Sequence, residues 1–193
     1  MGKVSDFYSN KCAFVTGASG FVGVALIEKL LRVCPQISCI LILLRPKRGQ
    51  DVEQRFETFR KHPVFEKLLQ QRPQALHCIK IVTGDICEPG LGLSAADSKL
   101  VTDHAEIVFH SAASLDFEAS LAATVESNYL GSQRVLELAA QCKKLKVFVH
   151  VSSSFANSFR LDCQEQMYDL FMPSEEVLRL VRELSPAELE KRT

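Results

Sequence analysis

The chain has 193 residues, enough for one domain with a sizeable core, and 47% are hydrophobic against 24% charged, an ordinary globular mixture. Lys plus Arg equal Asp plus Glu at 23 each, so no net field draws the chain to nucleic acid or to an acidic membrane. The longest apolar run, Cys39 to Leu44, is too short to span a bilayer, and the first residues carry no apolar leader. Seven cysteines lie at scattered spacings with no Cys-x-x-Cys pair, which predicts reduced, buried thiols in an intracellular protein. The five histidines form no ligand pattern, so no metal site is expected.

Residues 1–10 predict a polar lead, with Phe7 and Tyr8 packing at the edge of the first strand. Lys11 to Thr16 predicts that strand, and Phe21 to Arg32 a helix with Val22, Leu26, Leu30 and Val33 on one buried face. Between them stand Gly17, Gly20 and Gly23. The first permits a bend that a β-carbon resists, the second lets the main chain approach a pyrophosphate, and the third lets helix and strand pack closely. Free N–H groups at the helix start would face the anion. A strand before and a helix after make this a dinucleotide-binding turn, with Thr16, Gly17, Ser19, Gly20, Phe21, Val22 and Gly23 as its candidate residues.

Pro35 ends the helix, and Ile37 to Leu44 predicts a second strand, apolar almost throughout as a strand covered on both faces should be. It runs into Arg45-Pro46-Lys47-Arg48. An acidic residue at this place would hydrogen-bond the 2′-hydroxyl of NAD, whereas arginine accommodates the 2′-phosphate of NADP. The basic turn therefore points to NADPH, with Arg45 first and Lys47 beside it; a solvated charged turn is the plain alternative. Residues 51–72 predict helix broken at Pro63, its apolar stripe supplied by Val52, Phe56, Phe59, Phe65, Leu68 and Leu69.

Ile79 to Thr83 predicts strand three, followed by Asp85, placed to accept from an adenine amino group, and Ile86, placed to pack on the ring. An Asp there also serves to cap a turn. Ser94 and Asp97 predict the capped start of a helix to His104. Ile107 to His110 predicts strand four; small residues after it, Ala112 and Ala113, leave room for a ribose, and His110 reads as a packed or hydrogen-bonded histidine. A long amphipathic helix is expected over 120–142, with Leu121, Val125, Tyr129, Val135, Leu136 and Ala139 on its apolar face. Asn128 inside it is an indifferent helix former, which suggests a second role. Lys146 to Val151 predicts strand five, ending in Ser152-Ser153-Ser154 at the crevice where open α/β sheets bind ligands, or beginning a turn. Residues 155–173 predict loop, with short helices from Ser174 and Ser185. The fold class is α/β, a Rossmann-like doubly wound parallel sheet of strand order 3-2-1-4-5.

The stretches Thr16-Gly17-x-x-Gly20-Phe21-x-Gly23, Leu44-Arg45-Pro46-Lys47, Gly84-Asp85-Ile86, Phe109-His110-Ser111-Ala112-Ala113 and Val149-His150-Val151-Ser152-Ser153, all in register, resemble the alcohol-forming fatty acyl-CoA reductases of the extended short-chain dehydrogenase/reductase superfamily. The resemblance implies NADPH-dependent reduction of a long-chain fatty acyl-CoA to a fatty alcohol. It implies that residues 1–160 form the NADP-binding domain and 161–193 begin a substrate-binding region. By position it gives Gly17, Gly20 and Gly23 the pyrophosphate and Arg45 the 2′-phosphate. It gives adenine to Asp85 with Ile86, and ribose to Ala112 with Ala113. Asn128 takes the place of an active-site asparagine, and Ser153 that of the catalytic hydroxyl. The family's Tyr-x-x-x-Lys is absent: Cys12, Gln133 and Met172 stand four residues after Tyr8, Tyr129 and Tyr168. Without that acid, turnover by this chain alone is expected to be weak or nil. Relatives sit at peroxisomal or endoplasmic reticulum membranes through a later segment, and a homo-oligomer is a candidate assembly. Two other readings stay open: a non-catalytic NADP-binding regulatory or dimerisation module, and another thioester reductase or sterol dehydrogenase of the superfamily.

Overall fold

The three inner strands of this chain are buried on both sides because both sides are covered. In the computed structural model, which describes residues 3–47, 49–158 and 160–190, five strands, β1 (Cys12–Thr16), β2 (Cys39–Leu44), β3 (Ile79–Thr83), β4 (Ile107–His110) and β5 (Val147–His150), form one parallel sheet of order β3-β2-β1-β4-β5. Side chains alternate faces along each strand. Ala13, Val15, Ile40 and Ile42 face one core, filled by Ile27 and Leu31 of α2 (Phe21–Val33), Phe59 of α3 (Val52–Arg60) and Leu68 of α4 (Glu66–Gln71). Phe14, Leu41 and Val108 face the other, filled by Val101 of α5 (Ala95–His104) and Val135 and Leu138 further on.

Some elements differ from expectation, each for a physical reason. Within the polar lead, Lys3–Tyr8 form a helix, α1, whose Tyr8 packs on the core as expected while Phe7, expected to pack as well, stays exposed. The buried stripe of α2 is Gly23, Val24, Ile27, Leu30 and Leu31, so Val22 lies outside it. Gly23 sets this rotation: a β-carbon there would sit 2.3 Å from the Gly17 carbonyl oxygen, so that edge of the helix must face the turn.

The long helix over 121–140 contains a π turn. It runs as α6 (Leu121–Thr124), a π segment Val125–Leu130, and α7 (Gly131–Ala140). Across the wider π winding, the next buried residue after Val125 is Gly131, and Tyr129 and Leu136 turn outward. Gly131 packs on Ile86, whose side chain would lie 3.1 Å from a β-carbon there. After β5 come a 3₁₀ turn Ser154–Asn157, irregular chain, α8 (Ser174–Glu183) and α9 (Pro186–Glu190). Thiols are all free, but Cys163 is exposed and not buried as expected. Among the described residues no helix is long and apolar enough to cross a membrane.

The helical segment after β2 belongs to the core. Phe65 is fully buried with its ring edge-on to Phe59, centroids 5.2 Å apart. Phe65→Ala is expected to lower unfolding stability by about 3–5 kcal/mol in urea titration; a loss near zero would make the segment peripheral.

Candidate nucleotide site

The turn after β1 is built by contact with backbone. Gly17 has φ +69°, and a β-carbon on it would lie 2.6 Å from the Ala112 nitrogen and 2.7 Å from the Ser111 carbonyl carbon. Only glycine fits both that backbone and that space. Gly20, by contrast, has ordinary extended φ and is the N-cap of α2. Asp51, Ser94 and Ser120 close the starts of α3, α5 and α6 with side-chain oxygens. Gly20 brings no such oxygen, so the first amides of α2 point into the crevice beside Phe21 and Val22, which are exposed.

At the ends of β2 and β3 the arrangement is richer than expected. Arg45 Nη1 donates to Asp85 Oδ2 at 2.6 Å, and the Cys87 amide donates to Asp85 Oδ1 at 3.1 Å. Burial alone would raise the Asp85 carboxyl, but the Arg45 guanidinium and the Cys87 amide bring it below the usual range. Asp85 therefore clamps Arg45 and its own turn. The neighbouring Ile86 is buried against Gly131, and Arg134 donates to its carbonyl at 3.1 Å.

Arg55, in the first turn of α3, is the residue that sequence reasoning missed. It donates to the Arg45 carbonyl and to Ser19 Oγ, the latter at 2.9 Å, tying the glycine turn to the basic turn. Both acceptors are neutral, and among the described residues no carboxylate lies in ion-pair reach of it. Burial, and then the Arg45 charge, lower its pKa. Arg55, Lys47, Ser19, Gln50 and His62 line a cleft of about 290 Å³. A signal existed: the helix begins eight residues past the strand, so its first turn lies over the strand's carboxyl end.

Ends of β4 and β5 complete the crevice. Thr16 and His110, opposite each other in register, are the buried polar residues, with Thr16 Oγ1 2.6 Å from His110 Nδ1. His110 Nε2 lies 2.9 Å from Ser132 Oγ. His110 is thus the hydrogen-bonded histidine expected. Asn128, on the π turn, accepts from the Ser114 amide at 2.7 Å and donates to the Ser114 carbonyl at 3.1 Å, so it holds the loop after β4. Ala112 donates to Thr16 Oγ1 at 3.3 Å, and Ala113 is exposed beside it. Ser153 is exposed at the end of β5, its Oγ accepting from the Phe155 amide at 3.2 Å in a turn-capping role. Among the described residues no group of three or more His, Cys, Asp or Glu could hold a metal ion.

Comparison with known proteins adds the family. The profile described as male sterility protein, an NAD-binding domain, matches residues 15–191. The chain belongs to the male sterility protein family. Among curated members, a fatty acyl-CoA reductase described as putative, CG8306 of Drosophila melanogaster, is 39% identical over 94% of this chain and 36% of its own length. Fatty acyl-CoA reductase 1 of Xenopus laevis is 35% identical over 87% of the chain and 33% of its own length. The chain thus spans about a third of the curated relatives it matches. Among solved structures, the terminal reductase domain of the myxalamid biosynthetic pathway is 26% identical with a TM-score of 0.59, over 76% of this chain and 35% of that one. A reductase domain of a nonribosomal peptide synthetase from Mycobacterium tuberculosis, at 24% identity, has a TM-score of 0.62 over 78% and 35%, a likeness of fold. This male sterility family domain therefore shares its sheet with reductase domains.

Burial, and then the charge of His150, push His110 down to about 4. Its folded pKa lies below the unfolded value of about 6.5, so between these pH values the unfolded chain takes the proton and the folded one does not. Stability is therefore complete above about pH 6.5 and falls as pH drops toward 4, by on the order of 3 kcal/mol from this group. Urea titrations at pH 7, 5.5 and 4.5 check this: the slope should shrink in His110→Asn, and an unchanged slope would contradict it.

Proposed function

We propose that the chain binds NADPH and forms the nucleotide-binding part of an alcohol-forming fatty acyl-CoA reductase, which reduces long-chain fatty acyl-CoA to fatty alcohol. The observation that carries the NADPH reading is the meeting of Arg45, Lys47 and Arg55 beside Ser19 of the glycine turn. Two guanidiniums are held close while Asp85 offsets one of them. A dianionic 2′-phosphate would offset the rest with charge-assisted bonds, and a 2′-hydroxyl would not. The Gly17 and Gly23 contacts admit no side chain, and the first amides of α2 carry no side-chain cap, so the residues present fit the dinucleotide.

Bound NADPH supplies a hydride. The chain's own residues would do the rest of the positioning: α2 amides hold the pyrophosphate, Arg45, Lys47 and Arg55 the 2′-phosphate, and Asn128 the loop under the nicotinamide half. Ser153 Oγ, exposed after β5, accepts from the Phe155 amide and keeps its hydroxyl proton free to donate a hydrogen bond to a substrate carbonyl. The names of the relatives support the acyl-CoA substrate. A non-catalytic NADP-binding module is the second reading, since the cations beside Ser19 and the uncapped start of α2 speak only to nucleotide binding.

Fluorescence titration with NADPH and NADH tests the first point. NADPH should bind more tightly, and Arg55→Ala should weaken NADPH by roughly 10–100-fold, the worth of a charged hydrogen bond, while NADH changes little. Equal affinities would overturn the assignment. NADPH consumption with a long-chain acyl-CoA tests the second reading: turnover above background would rule out the non-catalytic module.

A further inference from the structure

His110 stands at the centre of a buried chain of hydrogen bonds whose direction can be worked out atom by atom. Ser132 Oγ lies 2.6 Å from the Asn128 carbonyl oxygen, which only accepts, so the one hydroxyl proton of Ser132 points there. Ser132 Oγ must then accept from His110, 2.9 Å away, which puts a proton on Nε2. A neutral imidazole has one N–H, so Nδ1 accepts, and the Thr16 hydroxyl 2.6 Å away donates to it. The Thr16 oxygen is left to accept from the Ala112 amide at 3.3 Å. Every member is satisfied in this one arrangement, and among the described residues no buried side-chain nitrogen or oxygen lacks a partner.

Both ends of this chain return to the same four residues. At one end is Ala112, whose nitrogen limits the space at Gly17. At the other is Asn128, whose side chain grips both backbone groups of Ser114. The loop 111–114 is thus pinned from two sides through one imidazole, at the carboxyl end of β4 in the crevice. The π turn contributes, since it brings Asn128 and Ser132 together toward β4.

The geometry points to His110, in its Nε2–H tautomer, as a positioning residue that sets the loop 111–114 and Asn128 for the nicotinamide half of the dinucleotide. This rests on the NADPH reading above. It differs from general support of the sheet in being specific to one half of the ligand: the adenine half is held by Arg45, Lys47 and Arg55 at the ends of β2 and α3, on the other side of Gly17.

The test compares NADPH with adenosine 2′,5′-bisphosphate, which carries the adenine half alone, on the whole chain and on two variants. Ser132→Ala removes the Nε2 partner at a half-buried site and spares the fold if His110→Phe does not. In wild type, NADPH should bind more tightly than the bisphosphate. In either variant that advantage should shrink by about tenfold, the effect of one misplaced buried hydrogen-bond partner, while bisphosphate affinity stays within about twofold. His110→Gln, which keeps an N–H toward Ser132, should restore part of the advantage. Nitrogen-15 spectra of the histidines in wild type should show Nε2 protonated and Nδ1 bare. A ratio insensitive to both variants, equal loss of both ligands, or an Nδ1–H tautomer would overturn the proposal alone. Wild-type protein that binds neither probe would overturn the nucleotide reading and this proposal together.

Discussion

Three backbone segments meet at Gly17, and the site depends on their contact. Its α-carbon faces the Ser111–Ala112 peptide, with no room for a β-carbon, and its carbonyl oxygen occupies the place where Gly23 would carry one. The turn after β1, the start of α2 and the end of β4 are thereby fixed relative to one another without any side chain between them. A binding crevice for a long, charged ligand needs such an arrangement, because side chains at the turn would fill the space the phosphates require.

Charge is distributed by the same geometry. On one side of the turn Asp85 holds Arg45, and Arg55 bridges Arg45 to Ser19, so the cations are pre-set before any anion arrives. Pre-setting means little side-chain entropy is left to lose on binding. On the other side the polar groups are neutral: Thr16, His110, Ser132 and Asn128 exchange hydrogen bonds among themselves and with the loop after β4. The crevice is thus cationic on one side of the glycine turn and neutral on the other.

Much of this was legible in the sequence. Apolar strands separated by helical stretches dictated a parallel sheet, and Ser94 caps α5 as its hydroxyl predicted. Asn128 stood out as a poor helix former, and it sits where the helix widens. What stayed hidden depends on contacts between distant segments. Rotation of α2 follows from Gly23 meeting Gly17, which no periodicity within the helix reports. The π turn shifts the apolar stripe, so a pattern read at 3.6 residues per turn misplaced Tyr129 and Leu136. Arg55 lies in a charged amphipathic helix, where an arginine reads as a solvated face until β2 places it over the glycine turn. Asp85 read as an adenine acceptor, because its pairing with Arg45 joins residues 40 positions apart.

Phosphorus-31 spectra of NADPH titrated with the protein test the central assignment most directly. The account predicts that the pyrophosphate signals and the 2′-phosphate signal all move on binding, and that the 2′-phosphate stays dianionic well below its free pKa of about 6. Pyrophosphate signals that move while the 2′-phosphate titrates as it does in free solution would contradict the role given to Arg45, Lys47 and Arg55.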